Sequence, residues 1–222
     1  MKKVHILVEG QTEESFVNYV LRPYFETKDI LIKPIIVSTK KIKSGKKFKG
    51  GVATYSHVKS DVQNLLGDTS AELVTTMIDY YRLPSDFPGV KSAENTKPHS
   101  RINYLERAFE KDIGSGRFYA YFVRHEFEGL LFTDPEEIAK KILPREKASE
   151  LQKIKKSFAT PEDINNNPST APSKRIEKIF SDYDKVADGP VIAQRIGLDA
   201  IRKACPHFND WIVYIENRCS SK

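Results

Sequence analysis

Near its start the chain runs Val4-His5-Ile6-Leu7-Val8-Glu9-Gly10-Gln11-Thr12-Glu13-Glu14. The short β-branched and aliphatic run that opens this stretch predicts a buried strand of the kind found in parallel sheets. A helix is expected to follow at once, because Thr12 is a good N-cap residue and two acidic residues come next in its first turn. Glu9 is therefore expected at the C-terminal tip of the first strand, where open α/β sheets hold their ligands.

Strands and helices alternate through the first half of the sequence. Apolar runs predict strands at Val4–Val8, Ile30–Val37, Leu73–Ile78 and Phe118–Val123. Helical periodicity predicts helices between them at 13–25, 56–66 and 101–111. This order predicts an α/β fold with a mostly parallel four-stranded sheet flanked by helices.

The pattern changes after residue 130, where no further strand is predicted. Helices are expected at 135–143, 147–158, 173–180, 191–197 and 198–204. We therefore expect an α/β domain over residues 1–135 and a helical C-terminal extension over residues 136–222, with a boundary near residue 160 as the alternative.

Composition narrows the class of protein. The chain has 222 residues, enough for a full hydrophobic core, and a net charge of +6. No apolar stretch approaches the roughly 20 residues that span a bilayer, and the first apolar run ends too soon for a signal peptide. The two cysteines, Cys205 and Cys219, make neither a disulfide framework nor a zinc cluster. We expect a cytoplasmic protein that does not associate with membranes.

A short segment concentrates much of the positive charge, between residues 40 and 51, with serine and glycine between its lysines. Its lysines are Lys40, Lys41, Lys43, Lys46, Lys47 and Lys49. One interpretation is a solvated, partly disordered loop, as like-charge blocks commonly form. The other is a nucleic-acid-binding arm that follows phosphates without recognising bases, because lysine supplies point charge without bidentate recognition. The sequence leaves both open.

Carboxylates follow three of the four predicted strands. Glu9 follows the first strand, Asp79 the third, and Glu126 and Glu128 the fourth. Because the carboxyl ends of parallel strands lie at one edge of a sheet, these residues are expected to converge. Oxygen ligands of this type suit Mg²⁺ or Mn²⁺, which retain water for substrate phosphates. A single acid at a strand end is commonly a solvated residue or a helix cap, but three acidic strand ends favour a shared metal site.

These residues also carry a family resemblance. The segment Val8-Glu9-Gly10 with Thr12-Glu13 resembles the glutamate motif of TOPRIM domains, the metal-binding fold of topoisomerases, primases and overcoming-lysogenization-defect (OLD) nucleases. More of the chain is similar to an uncharacterised bacterial TOPRIM-like family related to OLD-type nucleases. The segments that carry this similarity are Val8–Glu14, Thr76–Tyr81, Leu83–Gly89, His125–Glu128, 172–175 and 204–208. The resemblance implies a role in mobile-element (phage) defence together with a partner ATPase.

The resemblance assigns roles to individual residues. Glu9 matches the TOPRIM glutamate, a metal ligand or general acid/base, and Asp79 matches the first aspartate of an Asp-x-Asp pair. Tyr81 stands where the family has the second aspartate of the pair, so the sequence lacks one of the carboxylates that a two-metal site uses. Asp86 lies too far along the chain to replace it by spacing alone.

The resemblance also implies an acid after the fourth strand and a basic residue near the scissile phosphate. Glu126 or Glu128 matches the acid. The candidates for the basic residue are Lys174, Arg175 and Lys185.

The leading hypothesis is therefore a Mg²⁺- or Mn²⁺-dependent phosphodiesterase that cleaves DNA or RNA. Glu9, Asp79, Glu126 and Lys185 are its expected catalytic residues, with Glu128 among the metal ligands. The alternative is a noncatalytic TOPRIM-like adaptor that binds nucleic acid or an ATPase, supported by the missing second aspartate. A third possibility is phosphoryl chemistry on a small phosphate compound. The sequence does not distinguish DNA from RNA or one oligomeric state from another.

Overall fold

The structure is a computed structural model that describes residues 1–38, 54–81, 83–93, 98–141, 147–164, 167 and 169–220. The lysines predicted to bind nucleic acid, Lys40 to Lys49, lie outside the described residues.

The centre of the molecule is a five-stranded parallel sheet. Its strands are β1 (Lys2–Val8), β2 (Ile30–Ile36), β3 (Ala71–Asp79), β4 (Phe118–Tyr119) and β5 (Phe122–Val123). Their order is β2-β1-β3-β4, and β5 also pairs with β3. The predicted α/β class is confirmed. The predicted fourth strand is present as two short strands, because the chain leaves regular pairing at Ala120 and Tyr121, where the Thr76 side chain bonds the Tyr121 backbone.

Helices cover both faces of the sheet and make up the C-terminal part. The first group is α1 (Gln11–Phe16), α2 (Arg22–Glu26), α3 (Tyr55–Leu66), α4 (Pro98–Ile113) and α5 (Glu128–Leu131). The second group is α6 (Pro135–Lys141), α7 (Ala148–Lys156), α8 (Pro172–Ile179), α9 (Lys185–Ile196), α10 (Leu198–Ala204) and α11 (Pro206–Ser220). None of the described helices combines the length and apolar character that crossing a bilayer requires.

The first helix begins earlier than the sequence predicts. Gly10 is its N-cap rather than Thr12, and the Glu13 carboxylate accepts a hydrogen bond from the Gly10 N–H at 2.9 Å. Thr12 is instead buried in the first turn. A π-helical segment, Val17–Leu21, joins α1 to α2, so the predicted single helix over 13–25 is continuous but not uniformly α-helical.

Helix α9 also begins earlier than expected, at Lys185 rather than Val191. The helix includes Gly189 and Pro190, although proline removes a backbone hydrogen bond inside a helix. The Asp184 carboxylate caps the helix by accepting hydrogen bonds from the Val186 and Ala187 N–H groups. This cap places Lys185 in the first turn of α9.

The C-terminal helices pack directly onto the sheet. Trp211 of α11 is buried, stacks on Tyr121 with ring centroids 4.4 Å apart, and donates its indole N–H to the Thr75 hydroxyl at 2.9 Å. One hydrophobic core therefore includes side chains from both sides of residue 135, such as Val4 and Trp211. The boundary between residues 135 and 136 stays a prediction.

Candidate active site at the carboxyl edge of the sheet

The ends of β1 and β3 are joined through their acidic residues. Since these strands are parallel neighbours, Glu9 and Asp79 reach the same edge of the sheet. Glu9 Oε2 accepts a hydrogen bond from the Asp79 N–H at 3.1 Å. The Glu9 carboxylate is thus held in place by the backbone N–H of Asp79, the next acid of the cluster.

The segment after β5 brings two more carboxylates to this edge. Asp79 Oδ1 accepts a hydrogen bond from the Phe127 N–H at 3.0 Å. The residue at the end of β3 thus holds the backbone at Phe127, which lies between Glu126 and Glu128. The turn follows His125, whose φ of 65° is uncommon for a residue other than glycine. The predicted convergence of the three strand ends is therefore seen in the geometry.

Residues from the C-terminal helices contact the last two acids. Glu126 Oε2 accepts a hydrogen bond from the Ser173 N–H in the first turn of α8, at 3.0 Å. The Tyr183 hydroxyl donates to Glu128 Oε1 at 3.4 Å, just before α9 begins. Each bond occupies one carboxylate oxygen.

Among the predicted basic residues, Lys185 lies with these carboxylates. Burial acts to lower the pKa of Lys185, but Glu128, Asp79 and other acids outweigh it and raise the pKa. Lys174 is instead at the surface, 2.5 Å from Glu177, and Arg175 donates to the Thr170 carbonyl.

The carboxylates raise one another's pKa values. Burial, followed by the charge of Glu13, raises the pKa of Glu9 to about 7. Burial raises the pKa of Glu128 to about 7, with Lys185 opposing the shift. Asp79 has a pKa raised well above its usual value, by burial first and then by Glu9 and the other acids. Burial and the neighbouring acids together disfavour full ionisation of this edge, so its carboxyl groups favour a bound proton or a bound cation.

Sequence reasoning missed Glu13 as a member of this cluster. Its side chain is buried, and burial raises its pKa despite the hydrogen bond from Gly10. The sequence does contain a signal, because a glutamate at the third helical position can form the acidic half of a capping box, in which its side chain turns back to accept from the N–H of the N-cap residue. Here that residue follows Glu9 directly.

The position that resembles the second TOPRIM aspartate does not contribute a carboxylate. The Tyr81 N–H donates to the His125 carbonyl at 2.8 Å, which extends the pairing beyond the strands. Asp86 does not replace it, because Asp86 Oδ2 accepts a hydrogen bond from the Tyr55 N–H at 3.0 Å and thereby bonds the first residue of α3.

The donor set suits Mg²⁺ or Mn²⁺, since it consists of carboxylates with excess negative charge. Across the part of the chain that the structure describes, however, no three His, Cys, Asp or Glu side chains form a group that could hold a metal ion. Mg²⁺ commonly uses one or two carboxylates together with water and substrate phosphates, so the donor chemistry fits such an ion without a complete protein cage.

Comparison with known proteins places the chain in a family. Residues 8–216 match the family described as domain of unknown function (DUF4276). The chain belongs to that family. No curated protein matches the DUF4276 chain.

Two solved structures show weak likeness to the DUF4276 chain. The C-terminal region of the Xanthomonas campestris pv. campestris OLD protein has a TM-score of 0.40 and 17% identity, over 98% of each chain. S. aureus homoserine dehydrogenase has a TM-score of 0.27 and 16% identity, over 73% of this chain and 46% of its own. Both TM-scores are too low for either likeness to support a function.

Proposed function

We propose that this protein is a Mg²⁺- or Mn²⁺-dependent phosphodiesterase that hydrolyses nucleic acid. The observation that supports it is the meeting of carboxylates from three strand ends with Lys185 at one edge of the sheet. A fold seldom gathers this much like charge unless a cation or a reaction uses it, because each added carboxylate raises the cost of ionising the others.

Glu9, Asp79, Glu126 and Glu128 are the candidates to hold the ion, of which one or two would bind it together with water and substrate phosphate oxygens. When bound, the ion supplies Lewis acidity and lowers the pKa of water. Glu9 and Asp79 are half-buried, whereas Glu128 is buried, so a phosphodiester can approach the first two more readily. Glu13 adds negative charge behind them.

Acid–base chemistry at neutral pH is also available to the cluster. In the cluster without an ion the pKa of Glu9 is raised to about 7, so Glu9, where it is not a ligand of the ion, would suit a general base that takes a proton from an attacking water and returns it. Lys185 is exposed and carries a positive charge beside the acids, which suits stabilisation of negative charge on the phosphate and on the departing oxygen.

The test is cleavage of supercoiled plasmid and of labelled single-stranded DNA and RNA with Mg²⁺, Mn²⁺ or EDTA. Glu9→Gln and Asp79→Asn keep the side-chain size and an acceptor oxygen but remove the charge. We expect cleavage in the wild type with metal and at least a hundredfold loss in both variants. Glu150→Gln, an exposed change of the same type on α7, should cleave normally. Metal-independent cleavage, or near-normal rates in both site variants, would contradict the proposal.

A noncatalytic nucleic-acid or ATPase adaptor is the second candidate. It is favoured by the tyrosine at position 81 and by the absence of a three-residue metal group among the described side chains. It predicts nucleic-acid binding that is unchanged by EDTA and by Glu9→Gln, without cleavage under any metal condition.

The partner ATPase and the role in mobile-element defence stay proposals that depend on the resemblance to OLD-type nucleases. Co-purification of an ATPase with the tagged full chain from its host, and metal-dependent cleavage only when that ATPase is added, would support the partner.

A further inference from the structure

A second polar region lies at the outer edge of the sheet, beside β4 and β5. Two glutamates of α4, one helical turn apart, cover this edge. Glu110 Oε1 accepts a hydrogen bond from the Ala120 N–H at 3.0 Å, and Glu106 Oε1 accepts one from the Phe122 N–H at 2.9 Å. They satisfy backbone donors that an edge strand would otherwise expose.

A cavity of about 270 Å³ opens beside these glutamates, between α4, the edge strands and α11. We call it the edge cavity. Its lining includes Glu106, Glu110, Tyr119, His207, Asp210 and Trp211. The candidate active-site residues Glu9, Asp79, Glu126 and Lys185 are not among the described residues that line it.

The polar lining of the edge cavity is rich in acceptors. His207 Nε2 lies 3.0 Å from Glu106 Oε1 and pairs with that carboxylate beside the cavity. Nδ1 is buried and has no hydrogen-bond partner in the described part of the chain, and the His207 side chain is only 10% exposed. The carboxylates of Glu106, Glu110 and Asp210 are the acceptors that an occupant of the cavity would meet.

The charge of the lining is negative. Glu106, Glu110 and Asp210 contribute carboxylates, and Arg107 contributes positive charge. Burial and the charge of Glu106 raise the pKa of Glu110, although the Ala120 N–H and Arg107 oppose the shift. A cation in the cavity would relieve the repulsion between Glu106 and Glu110.

Tyr119 gives the cavity a half-buried aromatic ring, whereas the lining residue Trp211 is buried. Tyr119 stacks on Tyr214 with ring centroids 3.6 Å apart, and Trp211 stacks on Tyr121. These pairs hold the Tyr119 and Trp211 rings in place. Aromatic faces attract cations, and a planar guanidinium both stacks on a ring and donates to carboxylates in its plane.

We propose that the edge cavity binds a small organic cation that carries a guanidinium group. The guanidinium donates to Glu110 and lies beside the half-buried Tyr119 ring. The volume is just below the roughly 300–1,000 Å³ of typical ligand pockets, which restricts the occupant to a small molecule.

The experiment uses Trp211, the only tryptophan of the sequence, as the reporter. The full chain is titrated with agmatine at ionic strength held constant with sodium chloride, and tryptophan fluorescence is followed. We expect a saturable change. Glu110→Gln, which keeps an oxygen acceptor for the Ala120 N–H, should weaken binding about tenfold or more, because hydrogen bonds to charged groups are the stronger ones.

Two further variants separate a binding defect from a folding defect. Asp210→Asn changes an exposed lining residue and should weaken agmatine binding without altering the circular dichroism spectrum. Glu150→Gln removes the same charge on α7, outside the cavity, and should bind agmatine as the wild type does. Glu9→Gln should also leave agmatine binding unchanged, so this proposal and the nuclease proposal fail or succeed separately.

Two comparison ligands test the ligand class. Putrescine, which carries ammonium groups instead of a guanidinium, should bind more weakly than agmatine. An acetylated and amidated Gly-Arg-Gly peptide presents a guanidinium on a protein-like chain and should also bind more weakly. The absence of a saturable signal with agmatine, equal affinity in Glu110→Gln and wild type, or tighter binding of either comparison ligand would overturn the proposal.

Discussion

At the scale of single residues, Glu9 and Glu128 reach similar pKa values and share the charged neighbours that set them. Burial is the first cause for both; Glu13 and Glu126 add to each shift, and Lys185 opposes it, with Glu13 the larger charge effect at Glu9 and Lys185 the larger one at Glu128. The acids therefore act as a coupled group whose charge is set by the protons and cations bound to it. Removing either a carboxylate or the lysine should alter the whole cluster.

The first prediction concerns stability against pH without metal. Since the pKa of Glu9 rises from 4.5 to about 7 on folding, the folded state binds more protons than the unfolded state between those values. The contribution of Glu9 to stability is present below pH 4.5 and is lost as pH rises through 7. Glu9→Gln should therefore flatten the decline of the unfolding free energy from pH 5 to pH 8, measured by urea titration in EDTA. An unchanged slope, with Glu150→Gln as the control, would show that Glu9 is not proton-linked to folding.

The second prediction concerns Lys185. Lys185→Met removes a positive charge beside the acids. Mn²⁺ should bind more tightly, because it no longer competes with the lysine as the counter-charge of the carboxylates. Cleavage should fall, because the scissile phosphate loses the ammonium group that stabilises its negative charge. Calorimetric titration with Mn²⁺ and the plasmid assay measure the two effects. Lys185→Arg should recover part of the activity. Weaker Mn²⁺ binding together with normal cleavage in Lys185→Met would exclude the assigned role.

At the scale of elements, helix α9 must approach the site closely. Gly189 permits this approach, because a Cβ atom there would lie 3.2 Å from Phe127 Cε1 and 3.3 Å from the Tyr183 hydroxyl. Phe127 is buried, and its ring packs edge-on against Phe16 with centroids 5.2 Å apart, so it has little room to move. The same contact includes residues that bond Asp79 and Glu128.

The third prediction is that Gly189→Ala destabilises the protein and slows cleavage. Alanine favours a helix by about 1 kcal/mol over glycine, but overpacking in a core costs about 1–3 kcal/mol, so a net loss of about 1 kcal/mol is expected. Gly116→Ala is the matched control, since no atom lies within 4 Å of a Cβ there and its effect should be neutral or slightly stabilising. Urea unfolding measures both. Equal stability of the two variants would mean that the contact at Gly189 relaxes freely.

Helix α11 depends on a residue that is distant in sequence. The two oxygens of Glu162, a buried side chain, accept hydrogen bonds from the His207 and Phe208 N–H groups, each at 2.9 Å. These donors belong to the first turn of the helix and have no partner within it. Glu162 thus ties the segment before α8 to the helix that packs on the sheet.

The fourth prediction is that Glu162→Ala lowers the unfolding free energy by about 1–3 kcal/mol, since it leaves buried backbone donors without acceptors. Glu162→Gln retains one acceptor oxygen and should lose less. Urea unfolding of both variants, with Glu150→Gln as an exposed control, measures the effect. A loss below about 0.5 kcal/mol in Glu162→Ala, the range of ordinary surface changes, would indicate that water replaces the carboxylate.

These contacts show what the sequence predicts and what it leaves out. Strand ends follow from local apolar runs, so the positions of Glu9 and Asp79 at the carboxyl edge were predictable. The bond from Glu162 to α11, the close approach at Gly189 and the two-part fourth strand depend on partners far along the chain, which local patterns do not contain. The start of α9 was missed for a different reason, because the helical pattern predicts the helix only from Val191, and the cap at Asp184 lies six residues before Pro190.

At the scale of the whole molecule, the acidic site and the net positive charge of +6 oppose each other. A polyanion is attracted to the molecule as a whole but repelled locally by the carboxylates, unless a cation is bound there. Binding and cleavage should therefore depend on different residues. The lysine-rich segment between residues 40 and 49, outside the described part of the chain, is the predicted source of binding, and the acidic edge is the proposed source of cleavage.

The last prediction separates these two contributions. Replacing the six lysines Lys40, Lys41, Lys43, Lys46, Lys47 and Lys49 by glutamine lowers the net charge from +6 to 0. Affinity for duplex DNA should fall and the salt dependence should become shallower, by about 0.9 in the log–log slope for each phosphate that the variant no longer neutralises. Fluorescence anisotropy at several salt concentrations measures both. Mn²⁺ binding at the acidic edge should be unchanged, because the lysine segment would act on the substrate rather than on the ion.

The matched control replaces six exposed lysines of the C-terminal helices: Lys140, Lys153, Lys156, Lys174, Lys178 and Lys203. It removes the same total charge, so an effect of net charge alone would weaken DNA binding equally in both variants. A specific arm predicts a much larger loss of affinity, and a larger change of slope, when the segment between residues 40 and 49 is altered. Equal losses of affinity would support the interpretation of this segment as a solvated loop. Nucleic acid would then be attracted by the net positive charge of the molecule rather than by a specific arm.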